Sequence, residues 1–304
     1  MQTPWGDLEV WDAHVHYFSR NFFQTLGGPS GRGADEIGAA LGWQVPGTDP
    51  GSLADTWVEE LDRHGVARAC VIASVPGDEA SVMEAVERHP GRLLGYFMLN
   101  PAAPDALERA RRAVETGRVH GICLFPAMHC YSVQDPRVQH ILEIAASKPG
   151  IAVFVHCGLL TVGVRKKLGL PSPFDMRFSN PIDLHAVALR FPEVPFVVPH
   201  FGAGYFREAL MLVDLCPNVY LDTSSSNKWT KFQPSDMDLA GVFRRALAVA
   251  GPQRILFGTD SSFFPRGWNT AIFEEQVKCL HELGISADDA RHILGGNLKH
   301  ILRR

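Results

Sequence analysis

Short apolar runs rich in β-branched and aromatic residues alternate with amphipathic stretches along almost the whole chain. No other feature restricts the fold as much. The runs predict strands at Val10–His16, Ala69–Val75, Leu93–Leu99, Gly121–Phe125, Ala152–His156, Pro195–Pro199, Val219–Asp222 and Arg254–Gly258. Between them, helical spacing predicts helices at Ser52–Arg63, Glu79–Arg88, Asp105–Thr116 and Pro136–Ala146. Four more follow at Ile182–Arg190, Arg207–Leu215, Asp238–Ala250 and Phe273–Leu283. Such alternation implies parallel strands, since a parallel neighbour is reached only through a crossover, ordinarily a helix. Eight strands favour an α/β fold closed as a distorted (β/α)8 TIM-type barrel over an open doubly wound sheet. The 304 residues fit one such barrel domain, spanning 1–304.

The connections are unequal. Each helix passes to the next strand through a short turn marked by Gly or Pro, such as His64-Gly65, His89-Pro90-Gly91 and Lys148-Pro149-Gly150. The strand-to-helix connections are longer, above all 17–51, 157–180 and 223–237. In a barrel these loops share the face that carries the active site. Loops beyond about 12 residues in a compact domain are usually lids or binding loops. The segment 17–51 is therefore expected to be a lid or insert.

The first strand ends Asp12-Ala13-His14-Val15-His16. Side chains alternate across a strand, so positions 12, 14 and 16 are expected on one face, where two imidazoles can converge on one ion. Three further strands stay apolar until they deliver a metal-ligand type of residue at the C-terminal edge: His156, His200 and Asp260. Core histidines would have no reason to collect at one end of several strands. The pattern is that of a functional site.

This order of residues, with Trp11-Asp12-Ala13-His14-Val15-His16, Val198-Pro199-His200-Phe201-Gly202-Ala203-Gly204, Phe257-Gly258-Thr259-Asp260 and Ile293-Leu294-Gly295-Gly296-Asn297, resembles the amidohydrolase superfamily. The resemblance covers the whole chain and is nearest to the branch that includes aminocarboxymuconate-semialdehyde decarboxylase. It implies that His14, His16, His156 and Asp260 hold one divalent ion, zinc foremost and manganese second. It also implies that His200 is the catalytic histidine, with Asp260 assisting. Binuclear relatives bridge two ions through a lysine on strand four, but the first lysine in this chain is Lys148, so a single ion is expected.

The reaction expected first is hydrolysis of an amide- or ester-like bond of a small molecule by metal-activated water. Non-oxidative decarboxylation of a small aromatic or enoic acid is the alternative, and a metal-free lactonase the third reading. A barrel that binds without catalysis would not need such a donor set. Arg177, Arg207 and Arg266 follow strands five, six and eight, where arginine can clamp a substrate carboxylate. Asp12 is expected either to orient a histidine ligand or to close the strand end. Phe22, Phe23, Trp43, Phe174, Trp229, Phe263, Phe264 and Trp268 crowd the same loops and suit an apolar pocket.

Net charge is −4, from 29 basic and 33 acidic residues without a like-charge run, which argues against nucleic acid and anionic membrane as partners. No uninterrupted apolar stretch is long enough to span a bilayer, and the N-terminus lacks the pattern of a secretory signal. Six scattered cysteines without a C-x-x-C pair suit a reducing cytoplasm. A homodimer is what the resemblance implies.

Overall fold

The structure, a computed structural model, describes residues 1–303 apart from 225, 226, 234 and 235. After a small N-terminal hairpin pairing Gln2–Thr3 with Gly6–Asp7, eight parallel strands form one sheet in chain order. They are β1 (Trp11–Tyr17), β2 (Arg68–Ala73), β3 (Leu93–Leu99), β4 (Val119–Leu124), β5 (Ala152–Val155), β6 (Phe196–Val198), β7 (Val219–Asp222) and β8 (Ile255–Leu256). Main-chain bonds from Ala13 N to Phe257 O (2.9 Å), His16 N to Ser261 O (2.7 Å) and Asp260 N to His14 O (3.0 Å) join the first strand to the segment that continues the last. The sheet thereby curls into the expected barrel.

Alternation along each strand separates two apolar layers. Cys70, Ile72, Leu94, Tyr96, Met98, Cys123 and Phe154 fill the interior, whereas Val71, Phe97, Leu99, Ile122 and Val153 pack outward against the helices. Leu298, Ile301 and Leu302 of the C-terminal segment join Trp11 in the interior cluster. Apolar filling thus leaves the opposite mouth for polar groups.

Helix boundaries follow capping chemistry. Asp135 accepts from Arg137 N at the start of helix Pro136–Ala146, and Asp238 accepts from Gly241 N at the start of Leu239–Ala250. Helix Pro50–His64 stops at Gly65, whose φ of 69° supplies the left-handed C-terminal turn. The insert 17–51 differs from a plain loop: it contains helices Arg20–Gly27 and Ala34–Leu41. Phe22, Phe23, Leu26 and Ile37 from these helices pack with Val164 of the connection after β5 in a satellite core of their own. All six cysteines are unpaired, and no helix among the described residues is long and apolar enough to cross a membrane.

Candidate active site

The site lies where the strands end. His14 and His16 come from β1, His156 follows β5, His200 follows β6 and Asp260 follows β8. One donor atom from each of His14, His16 and Asp260 falls within a group whose members all lie within 4.8 Å of one another. Asp260 Oδ1 is 3.1 Å from His16 Nε2 and 3.8 Å from His14 Nε2. His14 Nε2 is buried without a hydrogen-bond partner. A buried, unpartnered nitrogen beside a carboxylate and a second imidazole is the chemistry of a cation site, so these residues suit a divalent ion.

His200 and Asp260 both adopt left-handed backbone conformations, with φ of 54° and 58°. Non-glycine residues pay for such geometry, and it concentrates at functional sites. Two glycines allow the close approach of the strand ends. A Cβ on Gly158, whose φ is 82°, would run into the Gly202 carbonyl oxygen, and one on Gly258 would stand 3.0 Å from His14 Cβ and 3.1 Å from Asp222 Oδ1.

His14, His16, His156, His200 and Asp260 all face one cavity of about 770 Å³. His156 stands outside the compact three-donor group, its ring centroid 5.5 Å from that of His200. Phe22, Trp43, Trp229 and Phe263 contribute to the walls, whereas Phe23, Phe174, Phe264 and Trp268 do not. Phe18 stacks on Phe22 at 3.8 Å, and Trp43 stacks on Phe263 at 4.3 Å, so the insert supplies much of the aromatic surface.

Burial and charge act against each other here. Burial would raise the Asp260 carboxyl, but the imidazoles of His16, His14 and His200 hold it well below the ordinary carboxylate range. Burial, reinforced by neighbouring imidazoles, pushes His156 and His200 below the ordinary histidine value. A neutral His156 imidazole and an ionised Asp260 carboxylate are the forms in which such groups bind metal. Cys123 stays a buried thiol, its ionisation opposed first by burial.

Several expected residues fall elsewhere. Arg177 and Arg207 do not face the cavity: their side chains are 84% and 83% exposed and pair with Asp175 and Glu208. Each lies beside an acidic neighbour in sequence, which captures the guanidinium at the surface. Arg266 stacks over Phe263 at 4.6 Å and donates to Ser262 Oγ (2.8 Å) and the Asp260 carbonyl oxygen (3.1 Å), which places it behind the rim. Asp12 does not share the face of His14 and His16, because the β1–β2 register shifts between Asp12 and Val15. Its carboxylate accepts from His14 N, Thr259 N, Thr259 Oγ1 and Trp268 Nε1, so it ties β1 to the segment after β8 rather than orienting an imidazole. Burial is the main reason its carboxyl is pushed up to about 6.

The carboxylate that does meet an imidazole is Asp222, whose Oδ2 lies 2.8 Å from His14 Nδ1. It ends β7 as an acid after an apolar run, the same signal that marks Asp260, and the sequence reading passed over it. Ser224 Oγ stands 2.9 Å from both His14 Nδ1 and His200 Nδ1. Ser74 Oγ, at the end of β2, is 2.8 Å from His16 Nδ1. Lys228 also faces the cavity, from the short 3-10 helix Asn227–Phe232, whose sequence gives it no distinguishing pattern.

Residues 11–304 match the amidohydrolase family. Among curated proteins, 87 residues are 34% identical to protein fluG of Emericella nidulans, a match covering 29% of this chain and 10% of that protein. The chain thus spans only a small part of that relative's length. Among solved structures, a manganese-bound 5-carboxyvanillate decarboxylase from Novosphingobium aromaticivorans superposes with a TM-score of 0.67 at 12% identity, over 98% of this chain and 97% of the other. A zinc-bound amidohydrolase from Burkholderia multivorans superposes with a TM-score of 0.61 at 17% identity, over 97% and 99%. At such identities the likeness establishes the barrel fold alone.

Proposed function

The chain belongs to the amidohydrolase family, and from that premise we propose that it is a mononuclear metal-dependent hydrolase of small molecules carrying an amide- or ester-like bond. The carrying observation is the convergence of His14, His16 and Asp260 donors within 4.8 Å, in a cavity that His200 also faces. These three, with His156, would hold the ion; zinc is the first choice and manganese the second. A divalent ion there supplies Lewis acidity toward a carbonyl and lowers the pKa of water from 15.7 to about 7. His200 takes the proton from the attacking water and returns it to the leaving group, work that contributes about 10²–10⁴-fold in comparable sites. Asp260, held ionised, keeps the neighbouring imidazoles in place, and the aromatic walls contributed by the insert exclude bulk water. The unpaired thiols support a reducing compartment, the cytoplasm.

One observation favours decarboxylation as a second reading. Lys228 faces the same aromatic cavity and offers a cation to a carboxylate. The test uses zinc-loaded and manganese-loaded protein with panels of amides, lactones and aromatic carboxylic acids. Hydrolysis products from the first two panels support the proposal. Carbon dioxide released from the third, with the other panels silent, transfers the protein to the second reading. Turnover that survives complete removal of metal overturns both.

A further inference from the structure

The Nδ1 atoms of His14 and His200 converge on one buried pair of residues at the end of β7. Asp222 and Ser224 have no solvent exposure. Asp222 Oδ2 lies 2.8 Å from His14 Nδ1, while its Oδ1 accepts from Ser224 N. Ser224 Oγ lies 2.9 Å from both His14 Nδ1 and His200 Nδ1, and the Ser224 carbonyl oxygen lies 3.2 Å from His200 Nδ1. We propose that Asp222 and Ser224 are positioning residues that fix His14 and His200 in the same tautomer, proton on Nδ1, so that both present a bare Nε2 to the cavity. The inference rests on the metal-site reading given above for what His14 then does.

Counting donors and acceptors leads to this arrangement. An ionised carboxylate and a backbone carbonyl only accept, so the nitrogen facing each must carry the proton. Asp222 therefore places hydrogen on His14 Nδ1, and the Ser224 carbonyl places it on His200 Nδ1. Ser224 Oγ has two lone pairs and can receive from both rings. Both Nδ1 protons then have acceptors, and His14 Nε2 is left without a hydrogen-bond partner, as observed. His16 is treated alike but separately: Ser74 Oγ donates to the Ile72 carbonyl (2.9 Å), so it accepts from His16 Nδ1. The imidazole that binds the ion and the imidazole that moves the proton are thus set by one shared clamp.

Long-range proton–nitrogen spectra of protein labelled with ¹⁵N-histidine show which ring nitrogen bears hydrogen. The expected result is Nδ1–H on His200 in metal-free protein, and Nδ1–H on both His14 and His200 in the zinc-loaded form. Asp222→Asn should weaken zinc binding about 10- to 100-fold, measured against a chromophoric chelator. Ser224→Ala should shift the resonances of both His14 and His200 and weaken zinc binding less than Asp222→Asn does, because Asp222 still holds His14 Nδ1; general loosening of the fold would not produce that graded pattern. An Nε2–H tautomer at either residue of the wild-type protein overturns the inference, as does an Asp222→Asn variant with wild-type zinc affinity and spectrum. If that variant fails to fold, the wild-type spectra decide alone. Wild-type protein that takes up no zinc removes the metal-site reading, while the metal-free His200 spectrum still tests the clamp.

Discussion

At the scale of single residues, His200 is the sharpest point of the functional reading. Its Nδ1 is engaged at Ser224 and its ring faces the cavity, so its remaining nitrogen is the one available to a water. His200→Ala should lower turnover about 10²–10⁴-fold while the zinc content of the purified protein stays unchanged. Elemental analysis beside steady-state rates checks this, and loss of the metal together with the rate would recast His200 as a ligand. The position of His200 was legible because a histidine closing an otherwise apolar strand has little structural purpose. Asp222 carries the same signal and was missed, because an aspartate at a strand end also reads as an ordinary turn residue. Asp12 misled in the opposite direction. Strict alternation puts it beside His14, but the register shift after it turns the carboxylate toward Thr259 and Trp268. No local pattern announces a bulge.

At the scale of elements, strand order and helix positions were legible almost throughout, since Gly- and Pro-marked turns bracket each periodic run. The insert was not. Phe22, Phe23 and Leu26 have helical spacing, but the surrounding glycines and prolines read as loop. Its helices are stabilised by packing with Val164, a contact distant in sequence. The close approach of the β5 and β6 exits makes a different demand. Gly158 combines a left-handed φ with no room for a Cβ beside the Gly202 carbonyl. Gly158→Ala should destabilise by at least about 1–3 kcal/mol from backbone strain alone, visible as a lower urea midpoint. A midpoint equal to wild type would show that this junction yields freely. Between helices Pro50–His64 and Glu79–Arg88, Asp55 bonds Arg88 Nε (2.7 Å) and His89 Nε2 (2.7 Å). Hydrogen bonds from Arg88 first, then His89, lower its carboxyl from 3.8 to about 2. A depressed carboxyl contributes stability above its unfolded value and loses it as pH falls through the folded one. Asp55→Asn should therefore flatten the loss of stability between about pH 4 and pH 2, followed by denaturation at successive pH values. An unchanged acid limb would show that the clasp contributes nothing.

For the molecule as a whole, the weak line is the seam between β1 and β8. The final strand is only two residues long, and the joint relies on a few main-chain bonds, an isolated bridge from Val15 to Ser261, and the Asp12 carboxylate. His14 and His16 lie on one side of that seam and Asp260 on the other. An ion held by all three would fasten the barrel across this joint, so metal binding would be coupled to closure. A ligand that binds only the closed form stabilises it by mass action, by about 2.7 kcal/mol when present at a hundred times its dissociation constant. Zinc should accordingly raise the melting temperature, and a chelator should lower it. Hydrogen exchange distinguishes this from a general effect. After metal removal, the amides of Ala13, His16 and Asp260, which bridge the seam, should lose protection before those of Phe97 and Met98 in β3, two strands away from it. Equal loss at both places would mean that the ion stabilises the barrel without fastening its joint. Unchanged protection at the seam would separate the donor cluster from closure altogether.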